Sequence, residues 1–102
     1  MKKIINGRKY DTDTATKLAE WDNGASYTDF SYCSETLYRK KTGEYFLHGE
    51  GGAYSQYAST RGDGWAGYGE TIRPLTIDEA KEWSERHMDG DSYEAEFGEV
   101  EE

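Results

Sequence analysis

The chain has one cysteine, one proline and no apolar run long enough to cross a membrane. A lone Cys33 excludes an internal disulfide and any metal site built on paired cysteines. The opening Met1–Gly7 turns polar after Ile4 and Ile5, too short an apolar core for a signal peptide. A soluble protein of the cytoplasm, with no membrane partner, is therefore expected. Apolar residues are also scarce, 34 % against 32 % charged, a balance that drifts toward disordered chains. Nine Tyr, three Trp and three Phe offset it, because each ring buries a large area. The 102 residues make one domain, expected over residues 1–97, with a disordered acidic tail at 98–102.

Charge is distributed unevenly. Residues 1–77 carry ten acids and ten bases, whereas residues 78–102 carry eleven acids against Lys81 and Arg86. The last quarter thus accounts for the whole formal net charge of −9. Such a surface repels nucleic-acid backbone and attracts basic protein surfaces.

Turn and periodicity signals outline the elements. Asn6-Gly7 between Lys2–Ile5 and Arg8–Tyr10 predicts a hairpin, since both turn positions require positive φ. Ala15, Leu18 and Trp21 recur at helical spacing, which predicts a helix of about two turns ending near Asn23-Gly24. Residues 25–34 read as a loop leading into a strand. Residues 35–40 and 44–49 flank Lys41-Thr42-Gly43 as a second hairpin. Residues 50–69, rich in glycine (Gly51, Gly52, Gly62, Gly64, Gly67, Gly69) and aromatics, read as a long ordered loop or a broken strand. Residues 70–73 form a short strand closed by Pro74. Thr76-Ile77-Asp78-Glu79 is a capping box, with Leu75 and Ala80 as its staple. The helix it opens should turn Ile77, Ala80, Trp83, Ser84 and His87 inward and stop near Gly90, with one more turn over residues 92–97. The expected fold is α+β, an antiparallel sheet of four or five short strands with two helices on one face.

Asp78, Glu82, Glu85 and Asp89, spaced four, three and four apart, fall on one outward helix face. Together with Glu79, Asp91, Glu94 and Glu96 they form the candidate partner-binding surface, able to imitate a row of phosphates before Lys and Arg. A solvated face serving solubility is the plain alternative. Tyr54, Tyr57, Trp65 and Tyr68 are a candidate second contact surface, with at least half of these rings expected to cover the sheet instead. Catalytic and cofactor chemistry finds little support. No carboxylate pair is set in an apolar pocket, and Cys33, His48 and His87 match no metal spacing. Gly49-Glu50-Gly51-Gly52 lacks the Lys and Ser/Thr of a phosphate loop, and its glycines are expected to release the chain from the sheet edge. Arg39, Lys40 and Lys41 are a weak basic patch beside Glu35 and Glu44. The expectation is a protein without catalytic residues, metal or cofactor, and without direct nucleic-acid binding.

Three segments carry a resemblance: Lys2-Lys3-Ile4-Ile5-Asn6-Gly7 with Tyr10-Asp11-Thr12; Leu37-Tyr38-Arg39-Lys40-Lys41-Thr42-Gly43-Glu44 with Gly49-Glu50-Gly51-Gly52; and Pro74-Leu75-Thr76 with Glu79-Ala80. Together they resemble a group of small acidic proteins of phages and integrative elements of Gram-positive bacteria, some of which look like anti-CRISPR proteins. The resemblance implies stoichiometric inhibition of a Cas effector in the bacterial host, with the acidic face in a Lys/Arg-rich DNA or PAM-reading channel. Its motifs are structural, so an accessory protein of a mobile element acting on another host protein remains the alternative.

Overall fold

In the computed structural model, residues 1–60 and 64–102 are described; Gly62 of the glycine-rich stretch lies outside the described residues. The N-terminal hairpin pairs β1 (Lys2–Ile5) with β2 (Arg8–Asp11). Its turn holds Asn6 and Gly7 at φ 52° and 78°, the left-handed pair that a two-residue hairpin loop demands. The main sheet is antiparallel, ordered β3 (Thr16–Asp22), β4 (Cys33–Arg39), β5 (Tyr45–Gly51), β8 (Gly69–Leu75). Between its last two strands, β6 (Ser59–Thr60) and β7 (Ala66–Gly67) make a separate two-stranded ladder. Helices α1 (Ile77–His87) and α2 (Gly90–Phe97) complete the α+β fold.

Residues 16–22 are a strand, not the expected helix. The register jumps from Lys17 opposite Tyr38 to Ala19 opposite Leu37, leaving Leu18 as an extra residue. This β-bulge breaks the two-residue period. Leu18, Ala19 and Trp21 then all pack on the core beneath the helices, and that three-residue set imitates a helical face. Ala15 joins the opposite cluster instead.

Pro74 does not close its strand. β8 runs on through it, with Phe46 opposite Pro74 and Tyr45 opposite Leu75. β8 is an edge strand, where a missing N–H leaves no neighbour unsatisfied.

The sheet's two faces are covered differently. On one, Leu37, Tyr45 and Leu47 meet Ala80 and Trp83 of α1, with Leu75, Met88 and Phe97 around them. On the other, the N-terminal hairpin lays Tyr10 against Phe46 and Ile72. Tyr10 meets Phe46 edge-on at 5.6 Å, Tyr38 stacks on Phe46 at 5.1 Å, and the Lys40 ammonium sits 4.0 Å over the Tyr10 ring. Beyond Ile72 the rest of this second face is polar. Cross-strand rows run Glu20, Thr36, His48, Ile72 and then Asp22, Ser34, Glu50, Glu70.

The glycines of β5 admit close neighbours, rather than releasing the chain from the sheet as expected. A Cβ on Gly49 would lie 2.1 Å from the Tyr57 ring, and one on Gly51 would lie 2.5 Å from the Tyr32 carbonyl oxygen. Tyr57 is thereby seated on the helix-covered face. Its hydroxyl donates to Glu35, a carboxylate only 7 % exposed, which also accepts from Trp83 Nε1 at 3.0 Å. β4, α1 and the 52–58 segment meet at this one side chain.

Removing Glu35 leaves the buried Trp83 N–H and the partly buried Tyr57 hydroxyl without their acceptor, a costly loss away from water. Glu35→Ala is expected to destabilise by about 3 kcal/mol, and Glu35→Gln, which keeps one acceptor oxygen, by about 1 kcal/mol. Urea unfolding followed by tryptophan fluorescence measures both. Equal stabilities would show that the Trp83–Glu35–Tyr57 link contributes little.

Candidate functional site

The capping box starts α1: Glu79 N–H donates to Thr76 Oγ1 at 3.1 Å, and Thr76 N–H donates to Glu79 Oε1 at 2.9 Å. Backbone and hydroxyl donors at Thr76 hold the Glu79 pKa below its ordinary value. Ala80, Trp83 and Ser84 are buried, and the Ser84 hydroxyl donates to the Ala80 carbonyl at 2.7 Å. Ile77 departs from the expected inward face; it opens the first turn and is 55 % exposed. The His87 ring makes tilted contacts with Trp21 at 4.9 Å and Trp83 at 4.7 Å. Burial holds its pKa below the ordinary value.

The inward contacts fix which carboxylates face out. Asp78, Glu82 and Glu85 are exposed along α1, with Arg86 lying 3.5 Å from Glu82. Asp89 is not on the same helix. α1 ends at His87, and Asp89 is the N-cap of α2, accepting from Ser92 N–H at 2.7 Å. That donor lowers its pKa. α2 thus begins at Gly90, where the sequence suggested a stop, and takes in the turn expected over residues 92–97.

Asp91 and Glu94 of α2 are exposed, and Glu94 accepts from Val100 N–H at 3.0 Å. Glu96 turns inward, its side chain 11 % exposed, paired with Arg39 and accepting from the Tyr45 hydroxyl at 2.6 Å. Burial and this carboxylate push the Tyr45 pKa up to about 12. The candidate acids therefore divide by position. Asp78, Glu82, Glu85, Asp91 and Glu94 project outward, Glu79 and Asp89 cap helices, and Glu96 docks α2 on the sheet.

Where α1 meets α2 lies an open groove of about 430 Å³. Met88, Tyr93 and Val100 supply its apolar lining, and Glu85, Asp89 and Glu94 stand around it. Such a groove suits the aliphatic stem and cationic head of Lys or Arg.

The four candidate aromatics separate into two pairs. Tyr57 is tucked onto Glu35, and Tyr68 donates to Glu50 at 2.5 Å. Burial and these carboxylates raise both phenol pKa values. Tyr54 and Trp65 are 79 % and 71 % exposed and share a groove with Phe30. Sequence reading gave no role to Phe30, exposed at 62 %, or to Tyr27, at 64 %.

Cys33 and the two histidines do not converge. His48 lies on the open sheet face, opposite the one that packs against α1. Burial raises the Cys33 thiol pKa, away from a reactive thiolate. His48, Glu50 and Glu70, which the sequence reading did not group, offer ligand atoms within 4.8 Å of one another. The signal for them was the i, i+2 spacing of His48 and Glu50 on a strand. Of the basic cluster, Arg39 pairs with Glu96 and Lys40 with Glu44 at 3.1 Å. Among the described residues, no helix is long and apolar enough to cross a membrane.

No protein-family model, no curated protein and no solved structure matches this chain.

The His87 environment predicts an acid-sensitive step. Its folded pKa lies below the ordinary histidine value of 6.5, so the unfolded chain binds the extra proton first. Stability should be full above about pH 6.5 and fall as pH drops through the interval beneath. The caps at Glu79 and Asp89 are lost only as pH falls through their lowered carboxylate values. Melting temperatures from pH 8 to pH 3 should show the two phases, and His87→Gln should erase the upper one alone.

Proposed function

We propose that the protein is a non-enzymatic inhibitor that binds a basic, nucleic-acid-handling surface of another protein through the outward carboxylates of α1 and α2. The row Asp78, Glu82, Glu85 carries this reading. These side chains are exposed on a helix whose opposite face is locked by Ala80, Trp83 and Ser84. A fixed anionic row needs little ordering when it binds, which favours affinity. The neighbouring groove, with carboxylates around an apolar lining, suits long cationic side chains. The resemblance of the three sequence segments to small mobile-element proteins makes a Cas effector the proposed target, inhibited by occupation of its DNA- or PAM-reading channel.

The division of the acids shapes the test. Reversing Asp89 or Glu96 would perturb the fold, and a lysine at Asp78 would oppose the helix dipole. The informative variant is therefore Asp78→Asn with Glu82→Lys and Glu85→Lys. The effector is captured from bacterial lysate on immobilised protein and assayed for DNA cleavage. The variant should inhibit at least about tenfold less well with little change in melting temperature, and added salt should weaken the parent's inhibition. Undiminished inhibition by the variant overturns charge mimicry. Failure to inhibit any captured nucleic-acid enzyme overturns the inhibitor reading itself.

A further inference from the structure

The sequence segment that balances to zero charge is not electrically balanced in space. Six of its ten bases, Lys2, Lys3, Arg8, Lys9, Lys40 and Lys41, lie in the N-terminal hairpin and about the β4–β5 turn. Four of its acids, Glu20, Asp22, Glu50 and Glu70, fall in two adjacent rows on the half of the sheet face that the hairpin leaves open. Lys17, one position outside these rows, pairs with Glu20, and His48 lies 3.2 Å from Glu70; among the described residues Asp22 and Glu50 have no basic partner. Glu50 and Glu70 stand directly opposite each other across β5 and β8. Like charges in that relation destabilise a sheet, and an incoming cation would relieve the repulsion.

Two further features give this face a shape. Glu20, Asp22, Ser34, Thr36, Glu50 and Tyr32 line a depression of about 130 Å³, polar over most of its surface. It is well below the size of small-molecule pockets, about 300–1,000 Å³, and is of side-chain scale. Beside it, Tyr27 contacts Tyr32 at 5.5 Å and Tyr68 at 5.6 Å, and Tyr68 holds Glu50. Carboxylates at the bottom with tyrosine rings at the side match a planar cation that accepts bidentate pairing and stacks on aromatic faces. Guanidinium does both, and ammonium does neither as well.

We infer that this open half of the sheet is a second docking surface, on the face opposite α1, that takes arginine side chains from a basic protein segment. It is independent of the helical surface and does not rest on the identity of any inhibited enzyme. Carboxylates fixed by strand register supply the charge, and the Tyr27–Tyr32–Tyr68 group supplies the stacking wall.

The test is an amide-resolved NMR titration of the full chain at low salt with a capped Arg-Gly-Arg-Gly-Arg peptide and its lysine counterpart. The arginine peptide should shift Glu20, Ser34, His48 and Glu50 and bind at least about fivefold tighter than the lysine peptide. Asp22→Asn with Glu50→Gln and Glu70→Gln should weaken it at least about tenfold. Asp22→Asn keeps an acceptor for Gly24 N–H, Glu50→Gln keeps one oxygen for the Tyr68 hydroxyl and turns an amide donor toward the Ser34 hydroxyl, and the repulsion is removed, so the melting temperature should hold or rise. The Asp78/Glu82/Glu85 variant should bind the peptide within about twofold of the parent. Shifts confined to α1 and α2, equal affinity for both peptides, or no binding at low salt each overturn the inference. Saturable binding of Zn²⁺ alone at His48, Glu50 and Glu70 that excludes the peptide also overturns it, making a metal the occupant.

Discussion

A single buried carboxylate holds three parts of the molecule in register. Glu35 projects from β4 beneath α1, where its partners are neutral donors: the Trp83 indole N–H and the Tyr57 hydroxyl. Burying a carboxylate is costly unless its oxygens are bonded. The arrangement is therefore directional in a way that apolar packing is not. A shift of α1 along the sheet, or a lift of the 52–58 segment, would leave the charge unsatisfied. The absence of a side chain at Gly49 lets the Tyr57 ring approach, so a backbone choice on β5 supports a hydrogen bond to β4.

Rigidity at that point passes outward to the charged surface. With Trp83 fixed by its ring contacts and its N–H bond, the rotation of α1 about its own axis is set, and with it the direction of Asp78, Glu82 and Glu85. α2 is oriented by a different polar contact, Glu96 with Arg39 and Tyr45, supported by Phe97 against the Tyr45 ring at 5.5 Å. Acids of one short stretch of chain thus serve opposite ends. Some face solvent because others of the same type are used up in caps and docking contacts.

Much of this was legible from local chemistry. Asn6-Gly7, the Lys41–Gly43 turn and the Thr76–Glu79 capping box each specify their geometry within a few residues, and each is found where expected. What escaped was set by tertiary pairing. The bulge at Leu18 depends on Leu37 and the helices beyond it, so residues 16–22 imitate a helix in one dimension. The break at Asp89 was hidden because an N-cap aspartate and an exposed helical aspartate look alike in sequence. The acidic rows of the open sheet face were also invisible, since Glu20, Asp22, Glu50 and Glu70 come together only through the β3-β4-β5-β8 order.

The bulge and the proline have a joint consequence for how this molecule can meet another. β3 and β8 are the two rims of the main sheet. One carries an irregular ladder with charged Lys17 and Glu20 on either side of the bulge; the other carries a residue with no amide hydrogen, Pro74. Both devices discourage an incoming strand from extending the hydrogen-bond ladder. Recognition by backbone pairing, which is tolerant of sequence, is thereby disfavoured at either rim. Side-chain surfaces remain as the means of association, and with them a dependence on the partner's particular residues.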